Sequence, residues 1–208
     1  MFGWFKKNRD KKSEDVYEVD ANIDFKTITD LIHNEFGITD LDKRVLPFSR
    51  LKQYAKDKNI VSTEEFLKLF RQQGDFYKDI LGIVTVNETY FFREKKELDY
   101  LVDVIQNAPS RLKVLSLSSS SGEEVYSILI LMMEKNIPLD KIKIVGVDVD
   151  FSMVEKAKQG IYKQHSLHNL DESLKQNYFT KIDNTQWQVK SFLKLHVEMS
   201  LMLSFQEI

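Results

Sequence analysis

Three short stretches of this 208-residue sequence combine residue types that could do chemistry together. Ser118-Ser119-Ser120-Ser121-Gly122-Glu123-Glu124 is a run of small residues closed by two carboxylates. Asp148-Val149-Asp150 follows directly on the apolar run Ile142 to Val147. Asn87-Glu88-Thr89-Tyr90-Phe91-Phe92-Arg93 sets amide, hydroxyl and guanidinium groups beside three aromatic rings. A loop of small residues suits a backbone pressed against a ligand. The serine loop is not G-x-G-x-x-G, and a phosphate placed over Gly122 would meet the like charge of Glu123 and Glu124. Dinucleotides and ATP are therefore disfavoured, and a cationic or hydroxyl-rich ligand is favoured. An acid ending the second strand, where Asp148 stands, accepts hydrogen bonds from ribose hydroxyls in doubly wound sheets.

A cofactor that bears a ribose and a positive charge but no phosphate describes S-adenosylmethionine. A purely structural alternative stays open on these residues alone. Glu123 and Glu124 would complement the positive N-terminus of a helix, and Asp148 would cap the next one. Tyr90, Phe91 and Phe92 likewise read either as an aromatic clasp between two domains or as the support that turns Thr89 and Arg93 toward a cofactor cleft.

The elements that must position these residues are legible from periodicity. Leu98, Leu101, Val102 and Ile105 predict a helix that stops at Asn107-Ala108-Pro109. Leu112 to Leu115 is of strand length, the serine loop follows, and Val125, Ile128, Leu129, Leu131 and Met132 form the buried side of a helix. Ile142 to Val147 is a second strand, and a further helix runs from Phe151 to about Lys158. Strand, helix, strand, helix in this order predicts a parallel sheet with its ligand site at the carboxyl ends of the strands.

Upstream, the pattern is helical. Phe25, Ile28, Leu31, Ile32 and Phe36 recur at three and four, with Gly37 as C-cap. Thr39-Asp40 is read as the start of a second helix with apolar positions Leu41, Val45, Leu46, Phe48 and Leu51. Ser62-Thr63-Glu64-Glu65 predicts a capped third helix before Phe66 and Phe70, and Phe76, Ile80 and Leu81 a fourth. Lys43, Arg44, Arg50, Lys52, Lys56 and Lys58 face a single anion, Asp57, along the second helix. Such a run is a solvated face or a docking surface for an acidic partner.

Composition sets the outer bounds. Thirty basic residues against 32 acidic ones, for a net charge of −2, speak against a nucleic-acid partner. Zero cysteines exclude disulfides, thiolate metal sites and thiol nucleophiles, and four scattered histidines make no metal-binding spacing. The longest apolar run, Ile128 to Met133, is too short for membrane insertion, so a cytoplasmic protein is expected. Residues 1–20 are read as a flexible tail, or as an amphipathic anchor built on Phe2, Trp4 and Phe5.

Taken together, Thr85 to Glu94, Ser119 to Ser127, and Asp148-Val149-Asp150 with Ala157 and Gly160-Ile161-Tyr162 resemble the CheR family of chemotaxis-receptor glutamate methyltransferases in order and spacing. Lys43-Arg44-Val45-Leu46, Arg50-Leu51 and Phe66 are similar to its helical N-terminal domain. The resemblance implies methyl transfer from S-adenosylmethionine to receptor glutamates, with S-adenosylhomocysteine as product and no metal. It implies that Asn87, Thr89 and Arg93 line the cleft and that Arg93 is catalytic. Gly122 and one of Glu123 and Glu124 would hold the methionine end, and Asp148 the ribose. Lys43, Arg44, Arg50, Lys52 and Lys56 would dock on the cytoplasmic domain of the receptor.

The fold expected is α+β / α/β. It comprises a helical docking domain over 21–82, then a partial Rossmann-like domain over 83–208 with a small antiparallel β-subdomain at about 160–197. Tyr178-Phe179 and Trp187 to Val189 around Asp183-Asn184 are expected to form its hairpin. Ser119 and Val125 replace the cysteine and proline common in the family's loop. The family also continues beyond the strand resembling His196 to Leu203. The expectation is therefore a chain truncated at the C-terminus, with the Lys113 to Leu117 strand as an exposed apolar edge and impaired catalysis. The alternatives are a non-catalytic receptor- or cofactor-binding module and a plain helical adaptor.

Overall fold

A computed structural model describes residues 22–85 and 87–201. The tail over 1–20, with its alternative anchor, and the end of the strand expected to reach Leu203 lie outside the described residues. The chain divides into two compact units, one up to Val86 and one from Asn87.

Among the described residues the first unit is four α-helices around an aromatic and aliphatic core. Helix α1 (Phe25–Phe36) starts at Asp24, whose carboxylate accepts the N–H groups of Lys26 and Thr27. It ends at Gly37 in the left-handed conformation (φ 70°) that a residue without Cβ adopts freely. Helices α2 (Val45–Asp57), α3 (Thr63–Arg71) and α4 (Asp75–Val84) follow. Ser62 caps α3 by accepting the Glu65 N–H at 3.2 Å, while the Glu65 carboxylate reaches back to the Val61 N–H at 3.0 Å. The Ser62 bond is the half of the capping box expected from Ser-Thr-Glu-Glu, while Glu65 reaches one residue further back, to Val61 rather than to the Ser62 N–H. Ile28, Ile32, Leu51, Phe66, Phe70 and Ile80 form the buried centre. Each such side chain contributes roughly 1.5–3 kcal/mol by leaving water.

The second helix does not begin where its sequence suggests. Leu41–Lys43 is a single 3-10 turn, and the α-helix starts only at Val45. Asp40 is left-handed (φ 52°) and its carboxylate holds the Lys43 ammonium at 2.6 Å rather than capping the helix backbone. Pro47 falls in the first turn of α2, where its missing N–H has no intrahelical role. This later start rotates Val45 and Leu46 outward into solvent, so neither joins the core.

Among the described residues the second unit contains two small sheets. Helix α5 (Lys95–Asn107) leads to β1 (Leu112–Leu117), α6 (Glu123–Glu134), β2 (Ile142–Asp148) and α7 (Phe151–Gln159). Then come β3 (Ile161–Lys163), α8 (Glu172–Tyr178), β4 (Phe179–Lys181), β5 (Gln186–Val189) and β6 (Val197–Leu201). The first sheet runs β1-β2-β6, all parallel, with Leu117 opposite Val147 and Asp148 opposite Leu201. The second runs β3-β5-β4, antiparallel, and includes the hairpin around Asp183.

Helix α6 is buried from Val125 to Met132 without a break, as its nearly continuous apolar sequence requires. Gly146 permits this on the sheet side: a Cβ there would lie 2.6 Å from Met199 Sδ and 2.9 Å from Val125 Cγ2. Among the described residues β1 is an edge strand, with Leu115 46% and Leu117 51% exposed. Replacing Ser62 by alanine is expected to destabilise the first unit by about 1 kcal/mol, measured as the shift of its urea unfolding midpoint.

Candidate active site

The adjacent strands β1 and β2 both end in loops that pack on each other. Ser119 ties the β1 loop to β2 twice, its N–H and its hydroxyl both donating to the Val147 carbonyl, at 3.0 and 3.1 Å. One residue on, the Ser120 N–H donates to Asp148 Oδ2 at 2.7 Å. Asp148 Oδ1 accepts the Asp150 N–H at 2.9 Å. The Asp148 carboxylate, only 4% exposed, is thus held by one backbone donor from each loop.

Asp148 does not cap the helix that follows. That role belongs to Asp150, whose Oδ1 accepts the Ser152 N–H at 2.9 Å and the Ser152 hydroxyl at 2.7 Å. Asp150 Oδ2 accepts from Asn87 Nδ2 at 2.8 Å, which brings the first of the three sequence stretches to the end of β2. With capping assigned to Asp150, Asp148 keeps lone pairs beyond its two backbone bonds.

The serine loop turns through left-handed backbone at Ser118 (φ 55°), Ser120 (φ 49°) and Gly122 (φ 84°). Such a conformation disfavours a serine by roughly 1–2 kcal/mol. At Gly122 a side chain is excluded outright, since a Cβ would sit 2.8 Å from the Ala157 Cβ of α7. The Ser120 hydroxyl is buried with no hydrogen-bond partner among the described residues.

The two glutamates that close the loop part company. Glu124 is exposed and accepts the Ser116 hydroxyl at 2.8 Å, whereas Glu123 is 2% exposed. Its Oε2 accepts the Ser121 hydroxyl at 2.7 Å. Burial pushes the Glu123 carboxyl above its ordinary range, opposed by hydrogen bonds from Ser121, its own N–H and Ser166, and by the Lys156 charge. Tyr162 lies beside it and donates its hydroxyl to the Ser121 carbonyl at 2.7 Å.

The aromatic stretch supports this floor from within the second unit. Phe91 and Phe92 are buried in its core. The Phe91 N–H donates to the Ser166 carbonyl at 2.9 Å, and the Phe92 N–H to the Ser127 hydroxyl at 3.0 Å. Thr89 is half-buried. Arg93 is exposed; its guanidinium donates to the Glu88 carbonyl and lies over the Tyr90 ring, 5.9 Å from the centroid. The structure therefore gathers Asn87, Gly122, Glu123 and Asp148 around two strand ends, while Glu124 and Arg93 have their bonds elsewhere. Ser166 carries no chemical signal in the sequence, and Ser121, Ser127 and Tyr162, though they fall within the motif stretches, acquire individual roles only through contact.

Two buried carboxylates, an unpartnered hydroxyl and a close-packed glycine turn suit a ligand with ribose hydroxyls and a cationic group. A phosphate would face like charge. The family described as "CheR methyltransferase, SAM binding domain" matches residues 87–203. The chain belongs to the CheR methyltransferase family. Among curated members, the chemotaxis protein methyltransferase of Campylobacter jejuni is 30% identical over 79% of this chain and 62% of its own length. That of Borreliella burgdorferi is 31% identical over 79% and 63%, and that of Escherichia coli 29% identical over 76% and 56%. The chain thus spans about three fifths of the length of these CheR relatives.

The buried Glu123 makes stability pH-dependent. The unfolded carboxyl titrates near 4.5 and the folded one higher, so protonation favours the native state. Relative to Glu123→Gln, the wild type is expected to lose stability as pH rises from about 4.5 through the folded value. The difference should close below about pH 4.5, where the carboxyl is protonated in both states, as read from urea midpoints across pH.

Proposed function

We propose that this chain takes part in methyl transfer from S-adenosylmethionine to glutamate side chains of chemotaxis receptors, leaving S-adenosylhomocysteine. The observation that carries this reading is the pair of buried carboxylates, Glu123 where the loop after β1 enters α6 and Asp148 at the end of the adjacent parallel strand β2, in a CheR-family domain. Asp148, with lone pairs to spare, would take the ribose hydroxyls. Glu123, buried and without a bonded cation among the described residues, would take the ammonium of the methionine end, with the Gly122 turn allowing close approach. When bound, the cofactor supplies an electrophilic methyl group on a sulfonium.

An acceptor glutamate is already ionised at neutral pH, so the chain need not remove a proton. The task of its residues is to orient two reactants in line and to exclude water. Asn87, through Asp150, holds the segment bearing Thr89 and Arg93 against the end of β2. Arg93, freed from the Glu88 carbonyl, would be the cation available to a substrate carboxylate. No metal is called for, and a cytoplasmic location accompanies this reading.

Docking would fall to α2 and the turn before it. Arg44, Arg50 and Lys56 are exposed, as is Lys43, which pairs with Asp40. Lys52 lies over the rings of Phe25 and Phe48, 4.9 and 5.1 Å from their centroids, and so also supports the core. The 21–82 segment would thus be the receptor-docking domain, and the antiparallel sheet a subdomain of the methyltransferase part. Among the described residues no further strand pairs with β1, and this favours a second reading, a module that binds cofactor or receptor without turnover.

Titration calorimetry with S-adenosylhomocysteine tests the site. Asp148→Ala is expected to weaken binding at least tenfold, and an unchanged affinity would remove the ribose assignment. Incubation with labelled S-adenosylmethionine and receptor-bearing membranes is expected to leave a base-labile methyl ester; binding without ester formation supports the module. Reversing Arg50 and Lys56 to glutamate should weaken co-sedimentation with those membranes severalfold and more so at low salt. Equal sedimentation of variant and wild type would rule out docking through α2.

A further inference from the structure

The geometry points to Tyr162 as a positioning residue that sets the Glu123 carboxylate for the amino-acid end of the cofactor, acting through Ser121. This rests on the cofactor reading above and adds a residue outside the strand-end loops. The chain of contacts is short and polar throughout. Tyr162 donates its hydroxyl to the Ser121 carbonyl at 2.7 Å, and the Ser121 hydroxyl donates to Glu123 Oε2 at 2.7 Å. Ser121 is therefore held at its backbone by Tyr162 while its side chain holds the glutamate.

The phenol can do this because its own ring has little freedom. Tyr162 is 3% exposed and packs edge-on to Phe91 and Tyr126, with centroids 4.9 and 6.2 Å away. Tyr126 in turn donates to the Ala157 carbonyl at 2.9 Å, fixing the wall against which Gly122 packs. Burial and the neighbouring Glu123 charge keep the Tyr162 hydroxyl protonated, and thus a donor, well beyond neutral pH. Tyr162 sits on β3, opposite Trp187 of β5, so the antiparallel sheet reaches the serine loop through this hydroxyl.

A link that runs through Glu123 acts on one end of the ligand only. S-Adenosylhomocysteine carries the ammonium that Glu123 would hold; 5′-methylthioadenosine keeps the adenosine and sulfur but lacks it. Titration calorimetry of both ligands against wild type, Tyr162→Phe and Ser121→Ala separates positioning from general loosening. Tyr162→Phe is expected to weaken S-adenosylhomocysteine about five- to tenfold and 5′-methylthioadenosine less than about twofold. Ser121→Ala, which cuts the second bond and leaves the tyrosine in place, should show the same selectivity and stands in if the tyrosine variant does not fold. Equal weakening of both ligands, or none, overturns the positioning role while leaving the cofactor site intact. A wild type that binds neither ligand overturns the cofactor reading and the positioning role with it.

Discussion

The second unit is organised by one buried carboxylate. Asp148 ends a central strand, is almost wholly removed from water, and receives a backbone N–H from each of two loops. A carboxylate in that position needs those bonds, because a buried charge without partners is strongly unfavourable. Supplying them forces Ser120 into left-handed backbone and brings the serine loop over the end of β2. The loop can follow because Gly122 packs against Ala157 and because Gly146 leaves room for the Ser119 hydroxyl, which a Cβ there would approach to 3.0 Å. Backbone strain at the serines and tight packing at the glycines are thus consequences of holding a single acid at a strand end.

The same arrangement divides labour among neighbouring acids of identical chemistry. Asp150, two residues on, caps a helix and receives Asn87, and its lone pairs are largely used. Glu124, one residue from Glu123, looks outward and pairs with Ser116. Glu123 and Asp148 are left buried, short of partners and without a cation bonded to either carboxylate among the described residues. Buried polar groups with unused capacity are unfavourable for stability and useful for binding. A cationic, hydroxyl-bearing cofactor is the ligand that would meet both.

The first unit follows a different logic. Its core closes by aromatic contacts such as Phe66 on Phe76 and Phe70 on Tyr77, reinforced by Tyr54 to Asp79 and Tyr77 to Glu35 hydrogen bonds between helices. These interior demands use up Phe48, Leu51 and Ala55 on one face of α2 and leave Arg50, Gln53 and Lys56 on the other. The cationic face is therefore the remainder after packing. Lys52 shows how the two roles meet, a cation whose stem and charge rest on the rings beneath it.

Local pattern determined most of the elements. Apolar spacing placed α1, α3 and α4, the continuous runs placed β1, β2 and α6, and Ser62 and Gly37 marked helix ends, because caps and periodicity depend on near neighbours. The motif stretches and their order likewise carried the family. Tertiary structure alone decided the rest. The start of α2 moved to Val45 because the Asp40 side chain is taken by Lys43, a choice between two nearby partners that spacing does not rank. Glu123 and Glu124 are separated by burial, and Asp148 and Asp150 by which groups bond to them, both of which depend on how the loops pack. The role of Tyr162 depends on a contact spanning 41 residues of chain. Sequence carries the types of group available for chemistry; burial and hydrogen-bond partners, which are properties of the assembled core, together select the ones left with spare capacity.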